Sequence, residues 1–213
     1  MNILYVIGNG FDKAQGMETS YPEFYKYLIG NSEDASPLLQ QVKKEINSDI
    51  EKWSDMEIAL CAFTNNVKDV SEFEDMYYEL SGHLEIYLRK QEESFSPTEK
   101  HKERFLQHFL HPEQFIYETE REQSRKAFAN KKDYCHYNVM MLNYTNTLEK
   151  LIGEKKYWES RDKIKRRLSN VCYVHGKLGD NIIIGADRIE QIANEEFRKS
   201  DEIKDFLDRK SVV

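Results

Sequence analysis

The sequence predicts an α/β fold in which a mostly parallel sheet carries a large helical insertion between its first and second strands. Three observations predict it. The chain opens on a continuous, β-rich apolar run, Ile3-Leu4-Tyr5-Val6-Ile7, which stops abruptly at Gly8-Asn9-Gly10. Helical periodicity then dominates residues 36–132. Strand character returns at residues 137–142, 171–174 and 181–184. Short apolar strands joined by long connections favour parallel pairing, with helices packed on the sheet faces.

Taken in order, the first run has the pattern of a central strand buried on both faces. Its two glycines allow a tight turn and close backbone approach. A polar connector ends in Thr19-Ser20-Tyr21-Pro22-Glu23, where Ser20 suits an N-cap and Pro22 the first turn of a helix over 22–29. Leu38, Leu39, Val42 and Ile46 form one apolar stripe, and Met56, Leu60 and Phe63 a second. Phe73, Tyr77, Leu80, Leu84 and Leu88 extend a third over several turns. Core packing is the ordinary reason for such stripes. After the strand at 137–142, Asn146-Thr147-Leu148-Glu149 has the spacing of a capping box. A charged segment, 154–167, leads to the strand at 171–174, which ends at His175-Gly176. Helical pieces at 189–197 and 203–207 finish the chain.

Composition limits the function classes. The 213 residues are 39% hydrophobic and 12% aromatic, which suits one α/β domain with residues 20–135 as an insertion within it. A net charge of −7 argues against a general attraction to nucleic acid. Three cysteines, Cys61, Cys135 and Cys172, form no C-x-x-C pair, so reduced thiols are expected rather than a disulfide framework or zinc site. No signal peptide and no apolar run of membrane-spanning length is visible, which predicts a cytoplasmic protein.

The candidate site rests on one coincidence. In open parallel sheets, ligands bind beyond the carboxyl ends of the strands. The glycine turn, Asn143 and His175 each follow such an end. Gly8, Asn9 and Gly10 could present backbone N–H groups to a phosphate, although position 13 is Lys and a G-x-G-x-x-G fingerprint is absent. Asp12 could accept from a ribose hydroxyl, cap a turn or supply charge at a helix start. Asn143 could bond turn backbone, or hold a ribose hydroxyl or an attacking water. His175 could be a turn residue satisfied by backbone, or a general base. His101, His108 and His111 share a helical spacing but lack the carboxylates of a metal site, and none is expected. Lys163, Lys165, Arg166 and Arg167 form a basic patch of the kind that is usually a solvated face.

These pieces together resemble the AbiH family of phage abortive-infection proteins: the strand with Gly8-Asn9-Gly10-Phe11-Asp12, Thr19-Ser20-Tyr21, Trp53-Ser54-Asp55-Met56-Glu57, residues 143–149, His175-Gly176-Lys177-Leu178 and Ile184-Gly185. The later half is also similar to the Rossmann-like, sirtuin-like NAD-binding fold. That resemblance implies a phage-defence effector that binds NAD or a related nucleotide, with hydrolysis of NAD as its candidate reaction and no metal. It places catalysis on Asn143 and His175. Ligand binding falls on Gly8, Asn9, Gly10, Asp12, Tyr144, Thr145 and Gly176. It also implies a phage-derived trigger or partner defence protein. A non-catalytic nucleotide sensor is the main alternative, and a nuclease-type toxin a weaker one. Thr145 departs from the acidic residue common at that place. The end at Val213 is read as a truncation, since relatives continue into another strand.

Overall fold

A computed structural model of the chain describes residues 1–31, 34–129, 134–159, 164–180, 182–185 and 188–200. The architecture is mixed α/β. Strand β1 (Asn2–Ile7) is followed by helices α1 (Gly10–Ala14), α2 (Tyr21–Asn31), α3 (Pro37–Ser48), α4 (Met56–Phe63), α5 (Val70–Ser94), α6 (Glu99–Leu110) and α7 (Glu118–Ala129). Then come β2 (Tyr134–Met141), α8 (Thr147–Ile152), β3 (Tyr157–Glu159), β4 (Lys165–Tyr173) and α9 (Glu195–Lys199). The four strands form an open sheet in the order β1-β2-β4-β3. β1, β2 and β4 run parallel, and β3 is antiparallel to β4.

Local chemistry explains the helix starts. Ser36 caps α3, Asp55 caps α4 through the N–H groups of Glu57 and Ile58, and Asp69 caps α5. At α2, the Glu23 carboxylate accepts from the Ser20 N–H and hydroxyl, the reciprocal half of a capping box.

Two large apolar clusters divide the core. The first joins α2 to α5 with Leu178, Ile184, Ile192 and Phe197 from the C-terminal segment. The second lies on one face of the sheet, where Cys135, Tyr137, Val139, Met141 and Leu168 meet Phe109 and Leu110 of α6 and Leu148 and Ile152 of α8. The C-terminal carbonyls of α6 are tied to this face. Tyr5 donates to Phe109 O at 2.6 Å, Tyr137 to Leu110 O at 2.7 Å, and Arg166 Nε to Leu110 O at 3.1 Å.

Several expectations need correction. β1 lies at the sheet edge among the described strands, and only one of its faces is covered: Leu4 is 61% and Val6 60% exposed. The described helices that pack on the sheet do so on the opposite face, which leaves these two side chains outside. Residues 182–185 form no strand. Ile184 is buried against the helical cluster and its N–H donates to the Tyr77 hydroxyl at 2.9 Å, so a helix side chain does what a neighbouring strand would have done. Position 181 and the helix expected at 203–207 lie outside the described residues. The charged segment contains β3 and the start of β4, because Trp158 and Leu168 alternate inward among exposed charges. Arg166 does not belong to a solvated patch: it is 1% exposed and bonds Leu110 O and Ile164 O. The capping box at 146–149 does not form, because Glu92 of α5 accepts from the Asn146 N–H at 2.8 Å and Glu149 accepts from the Tyr173 hydroxyl.

Among the described residues, no helix is long and apolar enough to cross a membrane. Cys61 and Cys135 are buried and Cys172 is exposed.

The Tyr77–Ile184 bond ties the C-terminal segment to α5. Tyr77→Phe keeps the ring and strands a buried N–H, at a cost of about 1–3 kcal/mol. Thermal unfolding should shift down by roughly 2–12 °C, at about 2–4 °C per kcal/mol for a chain of this size. An unchanged midpoint would show that this contact does not hold the segment.

Candidate ligand-binding site

Parallel pairing sets the geometry. β1 ends at Ile7, paired with Met141, and β4 ends at Tyr173, also paired with Met141. The segments starting at Gly8, Leu142 and Val174 therefore leave the same edge of the sheet. A cavity of about 130 Å³ opens at that edge. Asn9 of the β1–α1 turn and Asp12 of α1 form one wall, and residues 142–145 form a second. The third wall comes from the helical region: Thr19 and Tyr21 at the start of α2, and Leu88 of α5. α5 also holds the connector in place, since Tyr87 donates to Glu18 O at 2.6 Å and Gln91 accepts from the Glu18 N–H at 3.1 Å.

Asp12 sits at the base and is 1% exposed. Its Oδ2 accepts from the Thr145 hydroxyl at 2.7 Å, and the Thr147 hydroxyl donates to Thr145 Oγ1 at 2.9 Å. This chain links the first β–α turn to the second. Asp12 Oδ1 has no hydrogen-bond partner among the described residues. Burial raises the Asp12 pKa; hydrogen bonding from Thr145 and Thr147 and the adjacent Asn143 oppose the shift, and the charge of Glu92 adds to it. An acidic residue at position 145 would face this carboxylate directly, whereas threonine donates to it.

Asn143 is 4% exposed. Its amide lies beside Asp12 without meeting hydrogen-bond geometry, and neither its Oδ1 nor its Nδ2 has a partner among the described residues. Each buried orphan polar group costs about 1–3 kcal/mol. Such groups call for a bound partner, because few buried polar atoms in native proteins go unsatisfied. The backbone-bonding alternative for this side chain is not what the structure contains.

The other expected residues divide. Asn9, Tyr144 and Thr145 line the cavity with Asp12 and Asn143; Gly8, Gly10, His175 and Gly176 do not. Asn9 accepts from the Thr19 hydroxyl. The Tyr144 hydroxyl donates to Ile183 O at 3.2 Å, and burial, then the nearby Tyr21 and Glu57, push its pKa well above the usual phenol range. The His175 ring lies beside that of Tyr144, with centroids 6.2 Å apart, and its carbonyl accepts from the Ile183 N–H at 2.8 Å. Gly8 and Gly10 do not adopt a left-handed φ, and a Cβ on either would meet nothing within 4 Å, so neither turn geometry nor packing requires glycine there. Gly176 has φ +75°, which does favour glycine. With five residues, α1 adds little dipole to the turn.

Thr19, Tyr21, Leu88 and Leu142 were not singled out as site residues from sequence. The Thr19-Ser20-Tyr21 motif was the available signal for the first two. In the Trp53-to-Glu57 motif, Trp53 is a buried anchor packed on Tyr25 and Phe63, Asp55 is a cap, and Glu57 raises the pKa values of Tyr21, Tyr77 and Tyr144 by its charge. His108 packs on Phe115 and His111 pairs with Glu113 at 3.2 Å. Among the described residues, no three His, Cys, Asp or Glu side chains gather in metal-binding positions.

The family model described as bacteriophage abortive infection AbiH matches residues 4–211. The chain belongs to the AbiH family. The matched span contains every element of the cavity, from the β1–α1 turn to the β2–α8 loop. No curated protein and no solved structure matches the chain.

Asp12 makes the AbiH cavity sensitive to pH. A carboxyl whose folded pKa is raised above its unfolded value contributes stability below the unfolded pKa, and this contribution is lost as pH rises through the folded pKa. At neutral pH the buried charge therefore destabilises the fold. Asp12→Asn keeps the acceptor for Thr145 and should raise the unfolding midpoint at pH 7 by a few degrees, with the gain shrinking as pH falls toward the carboxylate range. A midpoint lowered at pH 7 would contradict this placement of Asp12.

Proposed function

We propose that this AbiH-family chain is an abortive-infection effector that binds NAD or a related nucleotide at the carboxyl edge of its sheet. Family membership supports the defence role. One observation carries the ligand assignment: the cavity at that edge contains the buried Asp12 carboxyl and Asn143 amide with hydrogen-bonding atoms left over. A Rossmann-like, sirtuin-like reading of the sheet agrees with ligands binding beyond parallel strand ends.

The proposed chemistry is hydrolysis of the nicotinamide glycosidic bond. Water oxygen bonds to the ribose C1′, the bond from C1′ to the pyridinium nitrogen breaks, and nicotinamide leaves neutral with the bonding pair. The water proton passes to a base. Asn143 is assigned to position the attacking oxygen, and His175 to act on a ribose hydroxyl or on the water. Tyr21 and Tyr144, on the cavity wall, would shield the developing oxocarbenium from bulk water.

A sensor that binds nucleotide without turnover is the second reading. It is favoured by His175 contacting the cavity residue Tyr144 without itself lining the cavity.

Incubation of the protein with NAD and a panel of other nucleotides, followed by mass spectrometry, identifies bound and consumed species. Asn143→Ala and His175→Ala should each reduce NAD cleavage at least about 100-fold while remaining folded. Undiminished cleavage in both would end the catalytic assignment. Bound nucleotide with no cleavage by the wild type would establish the sensor reading, and neither binding nor cleavage would remove the nucleotide reading.

A further inference from the structure

We infer that the base of the cavity selects an uncharged head group that carries hydrogen-bond donors beside an acceptor, a primary carboxamide or a vicinal diol, gripped between Asp12 Oδ1 and the Asn143 amide. This rests on the ligand-binding reading above and names the part of the ligand that enters first.

Three polar atoms lack partners among the described residues at this point: Asp12 Oδ1, Asn143 Oδ1 and Asn143 Nδ2. With Asp12 ionised, the set is two acceptors and one donor. Asp12 is held in place by its other oxygen, which Thr145 occupies and Thr147 backs up. A carboxamide complements the set fully: its NH₂ gives one proton to each acceptor, and its oxygen accepts from Nδ2. Paired sugar hydroxyls, each donor and acceptor, satisfy the same three atoms.

Charged alternatives fit less well. A phosphate has no proton to offer Asp12 in its ionised form, and its charge would be repelled. None of the residues lining the cavity is Lys, Arg or His, and the charge of Glu92 adds to that of Asp12. An ammonium group could satisfy the acceptors but would leave Asn143 Nδ2 without one. The phosphates of a nucleotide would therefore remain outside the cavity, and the uncharged end would lead.

The test uses the whole chain and ligand-detected NMR, with nicotinamide, adenosine, 2′,3′-dideoxyadenosine, NAD and inorganic pyrophosphate as probes. Nicotinamide or adenosine should bind, and pyrophosphate should not displace it. Binding by nicotinamide assigns the carboxamide, and binding by adenosine that fails in the dideoxy analogue assigns the diol. Asn143→Asp, which replaces the donor with an acceptor at constant shape, and Asp12→Asn should each weaken binding at least tenfold; circular dichroism reports whether each is folded. The inference is overturned if neither uncharged probe binds, if pyrophosphate displaces the bound probe, or if folded variants bind as tightly as wild type. If an uncharged probe binds in an Asn143-dependent way while NAD does not, the head-group inference stands and the nucleotide reading falls.

Discussion

The parallel pairing of β1 with β2, and of β2 with β4, is the constraint on which the site depends. It brings together three segments separated by long stretches of chain, so that residues 8–12, 142–145 and 174–176 leave one edge of the sheet. Side-chain register follows from this. Asp12 meets Thr145 across 133 positions of sequence only because both follow paired strand ends. A one-residue slip of either pair would invert every inward residue and bring the apolar face of β2 to solvent.

The helical region is more than cover. It builds its own apolar cluster, captures the segment from Leu178 to Phe197, and returns one wall to the cavity through Thr19, Tyr21 and Leu88. The sheet has a separate cluster on one face. The cavity thus sits where two packed bodies meet, a common place for ligand sites. Polar atoms left unpaired at such a junction lower stability and make recognition possible, and Asp12 and Asn143 are the residues where that trade is concentrated.

Much of this was legible from local pattern. The β-rich run 3–7, the helical stripes over 36–132 and the strand at 137–142 follow from periodicity alone. Asn9, Asp12 and Asn143 stand out because they follow strand ends, whereas Tyr144 and Thr145 enter through the family resemblance. What escaped was tertiary. Nothing near Ile184 in the sequence indicates that Tyr77 would bind its N–H, so an apolar run with strand character settled on a helix instead. Glu92 displaced the local cap at Asn146 in the same way. Leu88 reads as one more core residue of a helical stripe, and only the approach of α5 to the strand ends makes it part of a site. The glycines at 8 and 10 allow a tight turn, yet the backbone observed there does not require glycine.

The most direct test of the account is a crystal structure of the protein with bound NAD or ADP-ribose. The account predicts ligand atoms within about 3 Å of Asp12 Oδ1 and of both polar atoms of the Asn143 amide. Ligand bound away from this cavity, or an Asn143 amide bonded to turn backbone beside it, would contradict the account.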